Sequence, residues 1–201
     1  MDGILRKLPI GIQTFEKLRE GDYLYVDKTA LVWRIASTET PYFLSRPRRF
    51  GKSLLLSTFE AYFEGKKELF EGLAIADMEK EWKTYPVFHL DLNAEKYDSP
   101  QALVEILSRQ LTQWELKYGK GEDEETLSGR FAGVIRRASE QADRGVVVLV
   151  DEYDKPLLQA LDDGALLDDY RKTLKAFYGV LKSSDRYLRF VFLTGVTKFA
   201  Q

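Results

Sequence analysis

Short apolar runs alternate along the chain with longer stretches in which apolar residues recur every three or four positions, a pattern that predicts strands separated by helices. Four strands are expected. The first, 41–45, is bounded by Pro41, and the second, 87–92, brings Asp91 towards its carboxyl end. The third, 146–150, is apolar on both faces, as a central strand covered by helices on each side would be. The fourth covers 188–193.

Helical spacing predicts segments at 12–19, 29–36, 52–63 and 166–182, with short helical turns between 67 and 82. Asp27 lies just ahead of the 29–36 helix, where a carboxylate meets free N–H groups, and Gly65 follows the 52–63 helix. Ser99 and Pro100 form a cap and first-turn pair for a helix carrying Leu103, Ile106, Leu107, Leu111 and Trp114 as far as Gly119. After a charged loop at 120–125, Phe131, Val134, Ile135 and Ala138 mark a further helix ending before Gly145. Strands alternating with crossover helices predict an α/β fold with a parallel sheet and right-handed connections. No internal repeat and no linker divides the chain, so a single domain over 1–201 is expected, its N-terminal helical segment 1–40 packed on the core.

Composition narrows the function classes. The 201 residues are 44% hydrophobic and 13% aromatic, which excludes disordered and low-complexity chains. With 30 Lys plus Arg against 32 Asp plus Glu, the net charge of −2 gives no bulk attraction to nucleic acid or anionic membrane, and such binding needs a local patch. The absence of cysteine excludes a disulfide framework, a Cys-zinc site and a cysteine nucleophile, and it fits a cytoplasmic location. No apolar run approaches the roughly 18 residues of a bilayer span. Residues 1–9 lack the apolar core of a signal peptide.

The chemistry concentrates in Ser45-Arg46-Pro47-Arg48-Arg49-Phe50-Gly51-Lys52-Ser53, where a strand ends and a helix begins. Gly51, Lys52 and Ser53 at a helix start offer backbone N–H groups to a phosphate, an ammonium to the β and γ oxygens, and a hydroxyl to Mg²⁺. The usual phosphate-loop pattern has a glycine five residues before Gly51, and Arg46 stands there. Pro47 also removes one N–H donor, while Arg46, Arg48 and Arg49 add charge. An ordinary helix start with a solvated basic loop is the alternative. The second signal is Asp151-Glu152 at the carboxyl end of the 146–150 strand, where open α/β sheets place their ligands. Asp151 would hold Mg²⁺ and Glu152 would activate water; the alternative is that both cap a following helix. Thr194, at the end of the fourth strand, is either a γ-phosphate sensor or a local cap. His89 reads as a packed or edge residue, and Asp91 and Asn93 have no defined partner.

Three strings together are more specific than any one of these signals: Tyr25-Val26-Asp27-Lys28-Thr29, the 43–54 segment through Arg46-Pro47-Arg48-Arg49-Phe50-Gly51-Lys52-Ser53-Leu54, and Leu149-Val150-Asp151-Glu152-Tyr153-Asp154. With Ala61-Tyr62-Phe63-Glu64-Gly65 and Leu69-Phe70-Glu71-Gly72-Leu73, they resemble the bacterial and archaeal AAA-ATPase-like family, whose members typically carry a C-terminal PD-(D/E)xK nuclease-like domain. The resemblance implies a three-layer P-loop NTPase fold of the additional-strand, catalytic-glutamate type, with the sensor strand between the phosphate-loop and Walker B strands. It implies ATP and Mg²⁺ as ligands, with Lys52 on the phosphates, Ser53 and Asp151 on the metal and Glu152 as the catalytic base; Arg46, Arg48, Arg49, Phe50, Gly51 and Leu54 complete the expected nucleotide-binding loop, and Thr194, from its place at the strand end, the expected catalytic set. A fifth strand, a helical lid and the nuclease-like domain would lie beyond Gln201. The expectation is therefore a fragment that binds nucleotide with or without turnover, in a protein that self-associates and works on nucleic acid. A nucleotide-sensing or nucleic-acid-binding module using the basic loop 46–52, without hydrolysis, is the rival reading, and a purely structural scaffold is the third.

Overall fold

The computed structural model describes residues 6–93 and 95–197. Residues 1–5, on which the leader expectation partly falls, and the terminus at Gln201 lie outside the described residues. Strands β1 (Tyr42–Ser45), β2 (Val87–Asp91), β3 (Val146–Asp151) and β4 (Leu188–Gly195) form one sheet in the order β1-β4-β3-β2. All three pairings are parallel, so every connection crosses over and all strand ends of one kind lie along one edge of the sheet. In register, Ser45 lies beside Gly195 and Asp91 beside Asp151.

β3 is buried throughout, as its two-faced apolar run requires. Val146, Val148 and Val150 share a core with α5 (Pro100–Tyr118), α6 (Leu127–Ala142) and α8 (Gly164–Ser183). Val147 and Leu149 face the opposite core, built from α1 (Phe15–Glu20), α2 (Thr29–Ala36), α3 (Lys52–Phe63) and α4 (Ala74–Met78). Phe131 of α6 stacks on Phe177 of α8 with ring centroids 4.3 Å apart and planes 2° from parallel. This is an offset-stacked aromatic contact that adds to simple area burial. Among the described residues, no helix is long and apolar enough to cross a membrane.

The predicted elements mostly recur, with strand ends shifted by a residue and larger differences at four places. α1 starts at Phe15 rather than 12, because Thr14 is extended and the Phe15 N–H donates to Ser57 Oγ at 2.9 Å. That contact ties the entering chain to α3 in place of another helical turn. α8 begins at Gly164, where the Asp163 side chain accepts from the Leu166 N–H at 3.0 Å and fixes the start. β4 runs on to Gly195 and so includes Thr194. A five-residue helix, α7 (Lys155–Gln159), follows β3 and is too short to show a period. The Ser99 cap forms as expected, its hydroxyl accepting from the Ala102 N–H at 3.3 Å.

Candidate functional site

The carboxyl ends of β1, β4 and β3 lie side by side, and the residues that follow them meet. After β1 the chain bends over Arg46 to Phe50. Arg49 (φ 67°) and Gly51 (φ 74°) are both in the left-handed region, and a Cβ on Gly51 would meet nothing within 4 Å, so glycine serves the backbone conformation there rather than the space. Gly51 is the N-cap of α3, leaving the first N–H groups of that helix without intrahelical partners.

Lys52 is nearly fully buried despite its charge. Its ammonium curls back over the loop, donating to the carbonyls of Arg46 (2.9 Å) and Pro47 (3.2 Å), and pairs with Glu152 Oε1 at 3.0 Å. On the next residue, Ser53 Oγ donates to Asp151 Oδ2 at 2.5 Å. The other carboxylate oxygen of Asp151 accepts from Thr194 Oγ1 at 2.5 Å, and Thr194 Oγ1 in turn accepts from the Glu152 N–H at 3.3 Å. Five of the residues singled out from sequence, Lys52, Ser53, Asp151, Glu152 and Thr194, thus form one contiguous polar cluster. Neither acid caps a helix: Asp151 faces Ser53 and Thr194, and Glu152 faces Lys52. Glu152 holds φ at 52°, a conformation uncommon for a non-glycine residue and costing about 1–3 kcal/mol. Such strain persists where neighbours over-determine it, and here the neighbours are the lysine and the threonine.

The remaining loop residues meet this cluster through backbone, the Arg46 and Pro47 carbonyls accepting from Lys52. Arg46, Arg48, Arg49 and Phe50 are exposed, Phe50 to 68%. Leu54 is half-buried and packs against the α3-side core rather than into the cluster. His89 sits on the edge strand β2, its Nδ1 2.9 Å from Glu60 Oε2 on α3. Burial pulls the His89 pKa down, but the Glu60 hydrogen bond and charge, with the Asp151 and Asp91 charges, outweigh it and hold the ring above its ordinary value. Asp91 is exposed beside Asp151, and its Oδ1 accepts from the Asn93 N–H at 2.7 Å, while Asn93 Oδ1 accepts from Lys155 Nζ at 2.8 Å.

The Tyr25 to Thr29 string acts as a clip. Asp27 Oδ1 accepts from the N–H (2.8 Å) and Oγ1 (2.6 Å) of Thr29, Asp27 Oδ2 accepts from the Ala74 N–H at 2.7 Å, and Thr29 Oγ1 accepts from the Ile75 N–H at 3.1 Å. The starts of α2 and α4 are thereby joined. Lys28 is exposed. Two further residues beside the cluster carry no role in the sequence reading. Asp154 is fully buried and binds the turn after β4, and Gly195 lies where a Cβ would come within 2.7 Å of the Tyr153 ring. The contacts of both span more than forty residues, so no local pattern marks them.

The cluster offers an ammonium and free helix-start N–H groups for an anion, and a hydroxyl with a carboxylate for a hard cation. Ser53 Oγ and Asp151 Oδ2, already within hydrogen-bond distance, are oxygen donors of the type Mg²⁺ takes, so this donor set fits that ion. Glu152 adds a second carboxylate next to the ammonium.

A parallel α/β sheet with a Gly-Lys-Ser helix start meeting two acids across the strand ends defines a P-loop-like domain. The chain belongs to the predicted AAA-ATPase family, whose model matches residues 9–201. It is 42% identical over 197 residues to the uncharacterized protein in the vnfD 5' region of Azotobacter chroococcum mcd 1, an alignment covering 98% of this chain and 38% of that protein. The chain therefore spans well under half the length of this relative. No solved structure matches the chain.

Proposed function

We propose that the domain binds MgATP at the Gly51-Lys52-Ser53 helix start and hydrolyses it with Glu152 as the base. The observation carrying this reading is that two residues of the loop each touch one acid of the Asp151-Glu152 pair, Ser53 at 2.5 Å and Lys52 at 3.0 Å, across about a hundred residues of sequence. The family membership supports ATP as the nucleotide. The position of β4 between β1 and β3 supports the additional-strand, catalytic-glutamate type.

In this mechanism the backbone N–H groups at the start of α3 receive the phosphate oxygens, and the Lys52 ammonium leaves Glu152 to donate to the β and γ oxygens. Ser53 Oγ and Asp151 would hold Mg²⁺, which would supply charge neutralisation at the phosphates. Thr194 keeps Asp151 oriented through its 2.5 Å hydrogen bond. Glu152, released from Lys52, accepts a proton from the attacking water as that oxygen bonds to the γ-phosphorus and the bond to the bridging oxygen breaks. The Lys52–Glu152 pair thus holds both groups in reserve in the nucleotide-free protein, and phosphate binding frees the base.

Phosphate release from MgATP tests the assignment. The wild-type protein is expected to release phosphate, Glu152→Gln to bind without release, and Lys52→Ala to do neither; release by Lys52→Ala at the wild-type rate would overturn it. The exposure of Arg46, Arg48, Arg49 and Phe50 favours a second reading, an anion patch for nucleic acid without hydrolysis. Steeply salt-dependent DNA or RNA binding that ATP does not compete would select it.

A further inference from the structure

The Asp154 side chain is fully buried and belongs to no step above. It occupies the N-cap position of α7 yet accepts nothing from that helix. Instead its Oδ2 takes three donors from the turn after β4: the Val196 N–H (2.9 Å), the Thr197 N–H (2.6 Å) and Thr197 Oγ1 (2.9 Å). Two successive backbone N–H groups converging on one oxygen form an anion-binding concavity, here filled by the protein's own carboxylate. Burying a carboxylate is expensive, and such groups are weak contributors to stability; their best-attested use is to specify a geometry.

That geometry is a junction. The Tyr153 N–H donates to the Thr194 carbonyl at 2.9 Å and the Tyr153 hydroxyl to the Thr197 carbonyl at 3.0 Å. From the phosphate-loop side, the Arg46 N–H donates to the Gly195 carbonyl at 3.1 Å and Ser45 Oγ to the Val196 carbonyl at 2.8 Å. Gly195 between them leaves no slack, since a Cβ would lie 2.7 Å from the Tyr153 ring and 2.8 Å from Asp154 Oδ1. Thr194, whose hydroxyl bonds Asp151, is the first residue of this cross-linked segment.

We propose that Asp154 is a positioning residue: by clamping the 196–197 turn it holds the Thr194 hydroxyl against Asp151, so that the metal-binding acid keeps its orientation. The catalytic consequence rests on the ATPase reading; the clamp itself does not. The tests are Asp154→Asn and Thr197→Val, the second removing one donor at an exposed residue and so leaving the fold intact. Residue-resolved amide exchange on the nucleotide-free protein reads the geometry. Exchange at the Val196 and Thr197 amides should accelerate in Asp154→Asn, and so should exchange at the Glu152 amide, which donates to Thr194 Oγ1. In the same variant kcat should fall roughly tenfold, the scale expected when a group orienting a metal ligand is lost. The affinity for a nonhydrolysable ATP analogue should stay within about twofold, because Lys52 and the loop are untouched. Thr197→Val should shift the same quantities by less, and it decides the matter if Asp154→Asn does not fold. Unchanged exchange at Glu152 would overturn the proposal, as would unchanged kcat in an active enzyme, or a loss of affinity equal to the loss of kcat. A wild-type protein without turnover would remove the ATPase reading alone, leaving exchange at Glu152 to decide the clamp.

Discussion

Replacing Glu152 by glutamine removes a charge from one side of the Lys52–Glu152 pair while leaving a side chain of the same shape. The pair is 3.0 Å long, and its side chains are only 3% and 13% exposed, so water screens it weakly. A hydrogen bond to a charged group contributes about 1.5–3 kcal/mol, and the glutamine carbonyl retains about 1 kcal/mol of that as a neutral acceptor. A triphosphate that draws Lys52 away from residue 152 therefore gives up about 0.5–2 kcal/mol less in the variant. That difference tightens the dissociation constant roughly two- to thirtyfold. Losing the base should lower turnover by at least about a hundredfold. The nucleotide-free variant should also melt at a lower temperature, because the buried ammonium has lost its counter-charge. Isothermal titration of Glu152→Gln and wild type with MgATP reads the affinity, and phosphate release reads the turnover. Equal or weaker binding by Glu152→Gln would refute the reasoning, since Lys52 could not then be moving from Glu152 to a phosphate.

Other consequences are separable from the site. Phe131→Ala, which empties a buried position stacked on Phe177 and 5.7 Å from Trp114, should cost about 3–5 kcal/mol in urea unfolding while leaving nucleotide affinity unchanged at saturating folding. A loss below about 1 kcal/mol would mean that this core repacks freely. The His89–Glu60 pair predicts a pH dependence: because the folded ring's pKa is raised, its stabilisation is complete below about pH 6.5 and is lost as pH rises through the folded value. Denaturant midpoints should therefore decline more steeply above about pH 6.5 in the wild type than in His89→Gln, and superimposable profiles would remove the pair from the stability balance.

What was legible in the chain is what local chemistry writes. The two-faced apolar run at 146–150 announced a buried strand, Ser99-Pro100 marked a helix start, and the 46–53 string marked a bend into α3. Asp151 and Glu152 were visible because acids directly after such a strand stand out. The orientation of these groups was not legible. Lys52 turning back onto two carbonyls of its own loop leaves no periodic trace, and nothing in the local sequence separates Asp151 and Glu152 as simple caps from Asp151 and Glu152 set against Ser53 and Lys52. Asp27 stood within a recognisable string, yet its partner Ala74 is 47 residues away. Asp154 meets Val196 across 42 residues. Long-range contacts of single polar side chains depend on the assembled sheet, and only the assembled sheet reveals them.

The central claim is that the α3 start and the acids after β3 grip one triphosphate. Isothermal titration of the protein with a nonhydrolysable ATP analogue, with and without Mg²⁺, measures this directly. Saturable binding that strengthens with Mg²⁺ and disappears in Lys52→Ala is the predicted result. Binding of equal strength in wild type and Lys52→Ala, or no binding by the folded wild-type protein, would contradict it.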